Sequence, residues 1–130
     1  MDEETQVVIP RYAQEFSSFM ASYKNDDSVT GEKVGHMVAV MSQYFTEYNL
    51  KYAEAQIKAN KVAANFENSS DEATGKPLSS AKAKVLTSAT PEYAEELRAK
   101  ADVENIEQDI NALKSLQKGV LNEYAHAGVS

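Results

Sequence analysis

The sequence predicts an all-α fold: an antiparallel hairpin of two long helices, with an N-terminal amphipathic helix and a short connecting helix. Two observations support this prediction. Apolar residues in each long segment recur at alternating steps of three and four, the period of helices that pack side by side. Between these segments, residues 68–79 are polar, contain Gly and Pro and show no apolar period, so they form a loop. All 130 residues are expected to form one domain.

The first long helix is expected over residues 30–67. Thr30 or Ser28 can cap it, and Glu32 places a carboxylate in its first turn. The predicted seam residues are Met41, Phe45, Tyr48, Tyr52, Ala55, Ala59, Val62 and Phe66. The seam tyrosines and Tyr44 recur every fourth residue and could form a stacking platform for bases or a partner. We favour a structural role, because two of them are in phase with the other seam residues.

The second long helix is expected over residues 91–126, because Thr90-Pro91-Glu92 combines a capping hydroxyl, a proline at the first helical position and an acid. Its seam residues are Val103, Ile106, Ile110, Leu113, Gln117, Val120 and Tyr124. Upstream, Tyr93, Leu97 and Ala101 are spaced by four, which predicts a shift of the seam near residue 101.

The remaining elements are shorter. Residues 1–8 are expected to be a mobile lead-in, and residues 9–24 an amphipathic helix. Its apolar stripe consists of Tyr12, Phe16, Phe19, Met20 and Tyr23. Residues 80–88 are expected to form the short helix, capped by Ser79 or Ser80. Its predicted apolar side is Ala81, Val85 and Leu86.

Apolar residues beside the two seams are the candidates for a partner or oligomer surface. They are Val34, Met37, Val38, Met41, Tyr44, Leu116 and Leu121. These residues could cover the N-terminal helix or a second copy of the chain, and we expect both. The sequence therefore predicts a protein partner and a homo-oligomer.

The charge pattern limits the possible ligands. The formal net charge is −7 and the sequence pI about 4.8, which works against broad adsorption to nucleic acid or anionic membrane. Between Ala73 and Pro91, however, Lys76, Lys82 and Lys84 occur without any acid. This basic segment could contact the phosphates of nucleic acid, or it could be ordinary surface.

Catalytic motifs were sought and none was found. The chain has no Cys, and His36 and His126 stand apart from other metal-ligating or basic residues. Gly75-Lys76 lacks the remaining glycine and Ser/Thr of a phosphate loop. Acidic clusters such as 92–96 and 104–109 read as solvated helix faces. We expect no enzyme activity, no cofactor, no metal and no small-molecule substrate. No apolar run approaches the ~18 residues that span a bilayer, so no membrane is expected.

The second half of the chain resembles a loose group of small helical-hairpin proteins encoded by tailed bacteriophages. The resemblance covers residues ~50–121. It rests on the Ala/Lys/Glu-rich segment 51–61, the Gly75-Lys76 loop, the short Ser/Ala/Lys helix, Thr90-Pro-Glu-Tyr-Ala94 and the segment 113–121, LKSLQKGVL. It implies a place among early phage genes for replication and recombination, and no catalytic residues.

Together these features predict a non-enzymatic helical interaction protein, an accessory to phage DNA replication or recombination in the host cytoplasm. Two alternatives remain open. One is a structural virion component of the connector or scaffold type. The other is an acidic inhibitor of a host defence or nucleic-acid enzyme.

Overall fold

The computed structural model describes residues 8–25 and 29–127, with side chains as far as residue 120. Four helices follow one another: α1 (Arg11–Asn25), α2 (Gly31–Glu67), α3 (Ser80–Ser88) and α4 (Pro91–Ala127). The predicted all-α fold is confirmed: α2 and α4 form the antiparallel hairpin, α3 connects them and α1 precedes them. The predicted mobility of residues 1–7, a cap by Ser28, and the side chains of Leu121, Tyr124 and His126 lie outside the described residues.

Hydroxyl caps fix where three of the helices begin. The Oγ1 atom of Thr30 accepts from the N–H of Lys33 over 3.3 Å, and the Oγ of Ser79 accepts from Lys82 over 3.2 Å. Thr90 accepts from the N–H of Tyr93 over 3.3 Å and leads into Pro91. Each bond satisfies one of the backbone donors that a helix start leaves unpaired.

The loop between α2 and α3 has its own backbone hydrogen bonds. Asp71 N–H donates to the carbonyl of Lys76 over 2.6 Å, and Leu78 N–H donates to that of Ser69 over 3.0 Å. Gly75 adopts φ +69°, a backbone conformation that glycine allows at little cost. The loop is thus a small turn structure of its own.

The chain divides into two compact units. In unit 1, α1 packs with residues 31–45 of α2 and residues 105–127 of α4. Its buried side chains are large: Tyr12, Val34, Met37, Met41, Ile106 and Leu113. The ring of Tyr12 in α1 lies 6.4 Å from that of Tyr44 in α2, so the aromatic stripe of α1 docks on the hairpin as expected.

Unit 2 comprises residues 46–104: the second part of α2, the loop, α3 and the first part of α4. Its buried apolar residues are mostly alanines, and they are Ala55, Ala59, Ala83 and Val103. Small side chains at a helix interface let the two helix backbones approach closely. Unit 2 therefore has a thin interior compared with the Met-, Ile- and Leu-filled interior of unit 1.

The seam predicted for α2 is confirmed, because every one of its residues is buried or half-buried. In α4, the predicted shift near residue 101 is wrong. Leu97 and Ala101 are exposed, whereas Glu96 and Ala99 are half-buried and Val103 is buried. The 3–4 alternation therefore runs unbroken through residues 96, 99, 103 and 106. A seam through Leu97 would turn Ala99 and Val103 away from α2.

Candidate functional site

Unit 2 carries large apolar side chains on its outside. Those exposed are Leu50 (62%), Ile57 (56%), Val85 (67%), Leu86 (37%) and Leu97 (49%). We call these five residues the outer apolar set. A single exposed Leu is ordinary on a protein surface, but here three of the four buried apolar residues are alanines while five large aliphatic side chains are exposed. We call this the inverted distribution of unit 2, and it leaves apolar surface exposed that a binding partner could bury.

On α2 the exposed residues form a regular stripe. Leu50, Ala53, Ile57, Asn60 and Ala64 are all exposed and are separated by steps of three, four, three and four. We call these five residues the outer stripe. At about 100° per residue, Leu50 lies opposite the seam residue Tyr48, and Ile57 lies opposite Ala55 and Ala59. This part of α2 thus has two heptad faces, one against α4 and one in solvent.

The predicted packing side of α3 needs correction. The sequence predicts Ala81, Val85 and Leu86 as the apolar side of α3, but all three are exposed and Ala83 is buried. A groove beside α3 is lined by Ala63 of α2, Ala83 of α3 and Tyr93 of α4, which shows which face the helix turns inward. The small Ala83 permits close packing, and this turns Val85 outward, while Leu86 lines a groove with Phe66 and Leu78.

The predicted basic segment is partly neutralised. Lys82 Nζ donates to the Oδ2 atom of Asp71 over 2.7 Å, and all three lysines are exposed. Asp71 and Glu72 immediately precede the segment in which no acid occurs. The fold of the loop brings the Asp71 carboxylate back onto α3, so residues 76, 82 and 84 do not act as three unpaired cations.

The electrostatics of Asp71 follow from these bonds. The hydrogen bond from Lys82 holds the pKa of the Asp71 carboxyl below its ordinary value of 3.8, and the backbone N–H of Ala73 acts in the same direction over 2.9 Å. The carboxylate is therefore ionised throughout the neutral range, and it joins the loop to the start of α3.

Most residues of the predicted partner surface lie within unit 1. Val34, Met37 and Met41 are buried, so they are not available to an external partner in this structure, and this corrects their assignment. Val38, Tyr44 and Leu116 are half-buried. The physical reason is that α1 uses the extra apolar width of the hairpin, as the Tyr12–Tyr44 contact shows.

The tyrosine row is held by neighbouring side chains. Tyr44 contacts Tyr12, the ring of Tyr48 has Lys51 Nζ at 4.4 Å from its centroid, and Tyr52 OH accepts from Gln56 over 3.2 Å. All three rings are half-buried. These contacts favour the structural interpretation over a stacking platform.

The predicted partner residues do not include Leu50 or Ile57, although the sequence carries a signal for them. The signal is a second 3–4 phase through residues 50, 53, 57, 60 and 64, and it is weaker than the first because two of its members are small and one is polar.

Among the side chains of residues 8–25 and 29–120, no group of three or more His, Asp or Glu is placed to hold a metal ion. In the same part of the chain, none of the helices combines the length and the apolar character that a bilayer crossing requires.

The fold and the surface define an all-α protein built on a helical hairpin. No protein-family model, curated protein or solved structure matches the chain.

Proposed function

We propose that this chain is a helical interaction protein that binds helical segments of a protein through the outer apolar set of unit 2. The observation that carries the proposal is the inverted distribution of apolar residues: Ala55, Ala59 and Ala83 inside, and the outer apolar set outside. Burying a large aliphatic side chain contributes about 1.5–3 kcal/mol, so the exposed set represents binding free energy that the isolated chain does not use.

The spacing indicates the kind of partner. Exposed residues at alternating steps of three and four match the ridge of another helix, and they match neither an extended strand nor a flat sheet. Unit 1 offers no comparable exposed stripe among its described residues, since its large apolar side chains are buried or half-buried or, for Val8 and Ile9, lie before α1. The binding surface is therefore assigned to unit 2.

The biological setting remains a prediction from the resemblance to phage proteins, namely an accessory role in DNA replication or recombination. Partner identity separates this role from its alternatives. A recombinase or a single-strand-binding protein supports the accessory role. Virion proteins support a structural component, and a host defence or nucleic-acid enzyme supports an inhibitor.

Site-specific photo-cross-linking tests the proposal. A benzophenone amino acid is placed at Ile57 or Leu97 in the outer apolar set and, as matched controls, at Gln108 or Lys114, which are exposed on α4 in unit 1. We expect discrete protein adducts at 57 and 97, identified by mass spectrometry after irradiation in the source cells. Equal labelling at all four positions would contradict a binding surface on unit 2.

A further inference from the structure

We infer that the outer stripe of α2 pairs with the same stripe of a second copy of this chain, with the two α2 helices antiparallel. The inference rests on the proposed function and names one partner for that surface. It concerns Leu50, Ala53, Ile57, Asn60 and Ala64, all of which are exposed.

The charge of this segment permits self-association. Within residues 46–67, Glu47, Glu54 and Glu67 are balanced by Lys51, Lys58 and Lys61, so the segment is neutral in a chain of net charge −7. Residues 91–104, which carry the exposed Leu97, contain five acids and two bases. Two copies of the α4 surface would repel each other, whereas two copies of the α2 segment would not.

The order of residues along the stripe favours the antiparallel direction. With the two-fold axis midway between residues 53 and 57 of the outer stripe, Ile57 of one copy lies opposite Ala53 of the other, and Leu50 lies opposite Asn60. Large residues then meet small or polar ones. In a parallel pair each residue would face the same residue of the second copy. Ala53 would then face Ala53 and leave a gap between the layers formed by Leu50 and Ile57.

The flank of the stripe adds charge complementarity. In the antiparallel arrangement Glu47, which contacts Lys51 of its own helix over 3.6 Å, also lies near Lys61 of the second copy, and the two-fold axis makes this contact twice. Glu54 lies near Glu54 of the second copy at the axis. Lys51 and Lys58, each within one helical turn of Glu54 on the same helix, offset the repulsion between the two carboxylates. In a parallel pair, the flank that carries Glu47, Glu54 and Lys61 would face Asn49, Gln56 and Ala63, and no ion pair would form.

The expected association is weak. Four helical turns with two large aliphatic residues bury less area than the roughly 800 Å² per partner of a standard stable interface. We therefore expect a reversible monomer–dimer equilibrium with a dissociation constant in the micromolar-to-millimolar range. Sedimentation equilibrium at protein concentrations between about 10 µM and 500 µM measures it.

The first test uses substitution of exposed residues, so that folding is preserved. We expect Leu50→Glu with Ile57→Glu to give a monomer at all concentrations. Asn105→Glu with Ala112→Glu, which adds the same two charges seven residues apart on the exposed side of α4 in unit 1, should leave the equilibrium unchanged. Circular dichroism checks that helix content is the same in all variants. A wild-type chain that is monomeric at about 500 µM would overturn the inference.

Charge reversal then distinguishes a second copy from another protein. Glu47→Lys alone and Lys61→Glu alone should each weaken dimerisation severalfold, because two attractive contacts become repulsive. The double variant restores opposite charges across the two-fold axis and should return to within about twofold of wild type. Additive weakening in the double variant would contradict the antiparallel pairing.

Disulfide trapping reports the direction, since the chain has no other Cys. Leu50→Cys mixed with Asn60→Cys should give a 50–60 cross-link, because these positions share a layer only in the antiparallel pair. Preferential linking of Leu50→Cys to itself would show a parallel pair instead. A monomeric chain that still forms photo-adducts with another protein at Ile57 would remove this inference and leave the proposed function standing. A chain that forms neither dimers nor photo-adducts would contradict both this inference and the proposed function.

Discussion

The Oδ2 atom of Asp71, in the loop before α3, accepts a hydrogen bond from Lys82 Nζ over 2.7 Å. The contact joins an acid and a base eleven residues apart. It places a carboxylate inside the segment whose sequence offers three lysines to phosphates. The pair reduces the positive charge that this segment can offer to nucleic acid. It also shows that a count of charges along the sequence can miss an acid that the fold brings close.

The first prediction concerns nucleic acid. If Lys76, Lys82 and Lys84 contact phosphates, binding to a single-stranded oligonucleotide should weaken as salt rises, and changing all three to Glu should abolish it. Asp71→Asn should strengthen binding, because it removes the carboxylate that holds Lys82. Fluorescence anisotropy at two salt concentrations measures both effects.

The control for that experiment is a triple change of lysines elsewhere, at Lys33, Lys114 and Lys118, which are exposed in unit 1. Binding that survives the triple change at 76, 82 and 84 would show that the basic segment is not the contact. An unchanged affinity in Asp71→Asn would show that Lys82 plays no part in it.

The second prediction concerns the close approach of α2 and α4 in unit 1. A Cβ added at Gly35 would lie 2.9 Å from Gln117 Nε2, and the same amide nitrogen lies 3.5 Å from the carbonyl oxygen of Gly31. Gly35→Ala gains about 0.5–1 kcal/mol of helix propensity but displaces the Gln117 amide. We therefore expect a near-neutral effect on the free energy of unfolding.

In a Gln117→Ala background the amide is gone, and Gly35→Ala should then stabilise the protein by about 1 kcal/mol. A double-mutant cycle from urea unfolding gives the coupling between the two positions, expected to be on the order of 0.5–1 kcal/mol. Equal effects of Gly35→Ala in the two backgrounds would show that the side chains are not in contact.

The third prediction tests the thin interior of unit 2. Ala59→Leu overfills a buried seam position and should cost about 1–3 kcal/mol of unfolding free energy. Ala53→Leu makes the same chemical change on the exposed face of the same helix and should alter stability by no more than about 0.5 kcal/mol. Chemical unfolding at low protein concentration measures both, and similar costs at the two positions would refute the inside and outside assignments.

The fourth prediction concerns pH. Burial raises the pKa of the half-buried Asp109 above its ordinary value of 3.8. The folded state therefore binds this proton more tightly than the unfolded state. The ionised carboxylate costs stability at neutral pH, and this cost disappears as the pH falls below 3.8.

Asp109→Asn should accordingly raise the free energy of unfolding slightly at neutral pH, and the difference should vanish in acid. Thermal unfolding followed across this pH range measures it. Glu107→Gln, on the exposed side of the same helix, is the matched control. A stabilisation by Asp109→Asn that grows toward acid pH would have the wrong sign for this account.

The helices were predictable because local chemistry specifies them. The capping hydroxyls predict three helix starts correctly, at Thr30, Ser79 and Thr90. The 3–4 spacing of α2 predicts its seam residues correctly. These signals depend on residues within one or two turns of each other, so no knowledge of the tertiary fold is needed to read them.

The orientation of α3 and the seam of α4 before Val103 were not predictable in the same way. A rule that buries the largest apolar residue selects Val85 and Leu97, whereas the structure buries Ala83 and half-buries Ala99. Close packing of backbones favours small residues over large ones, and that choice depends on the facing helix. The Asp71–Lys82 pair was hidden for a related reason, because a turn of the loop brings the two together.

The proposed binding surface requires that Leu50 and Ile57 lie in solvent in the isolated chain, with alanines at most of the buried positions of unit 2. Methyl NMR with a soluble paramagnetic agent, at the lowest concentration that gives signal, tests this directly. We predict strong relaxation of the methyl groups of Leu50, Ile57 and Leu97, and little relaxation for Val34, Ile106 and Leu113. Protection of Leu50 and Ile57 equal to that of Leu113 in the dilute monomer would contradict the proposed binding surface.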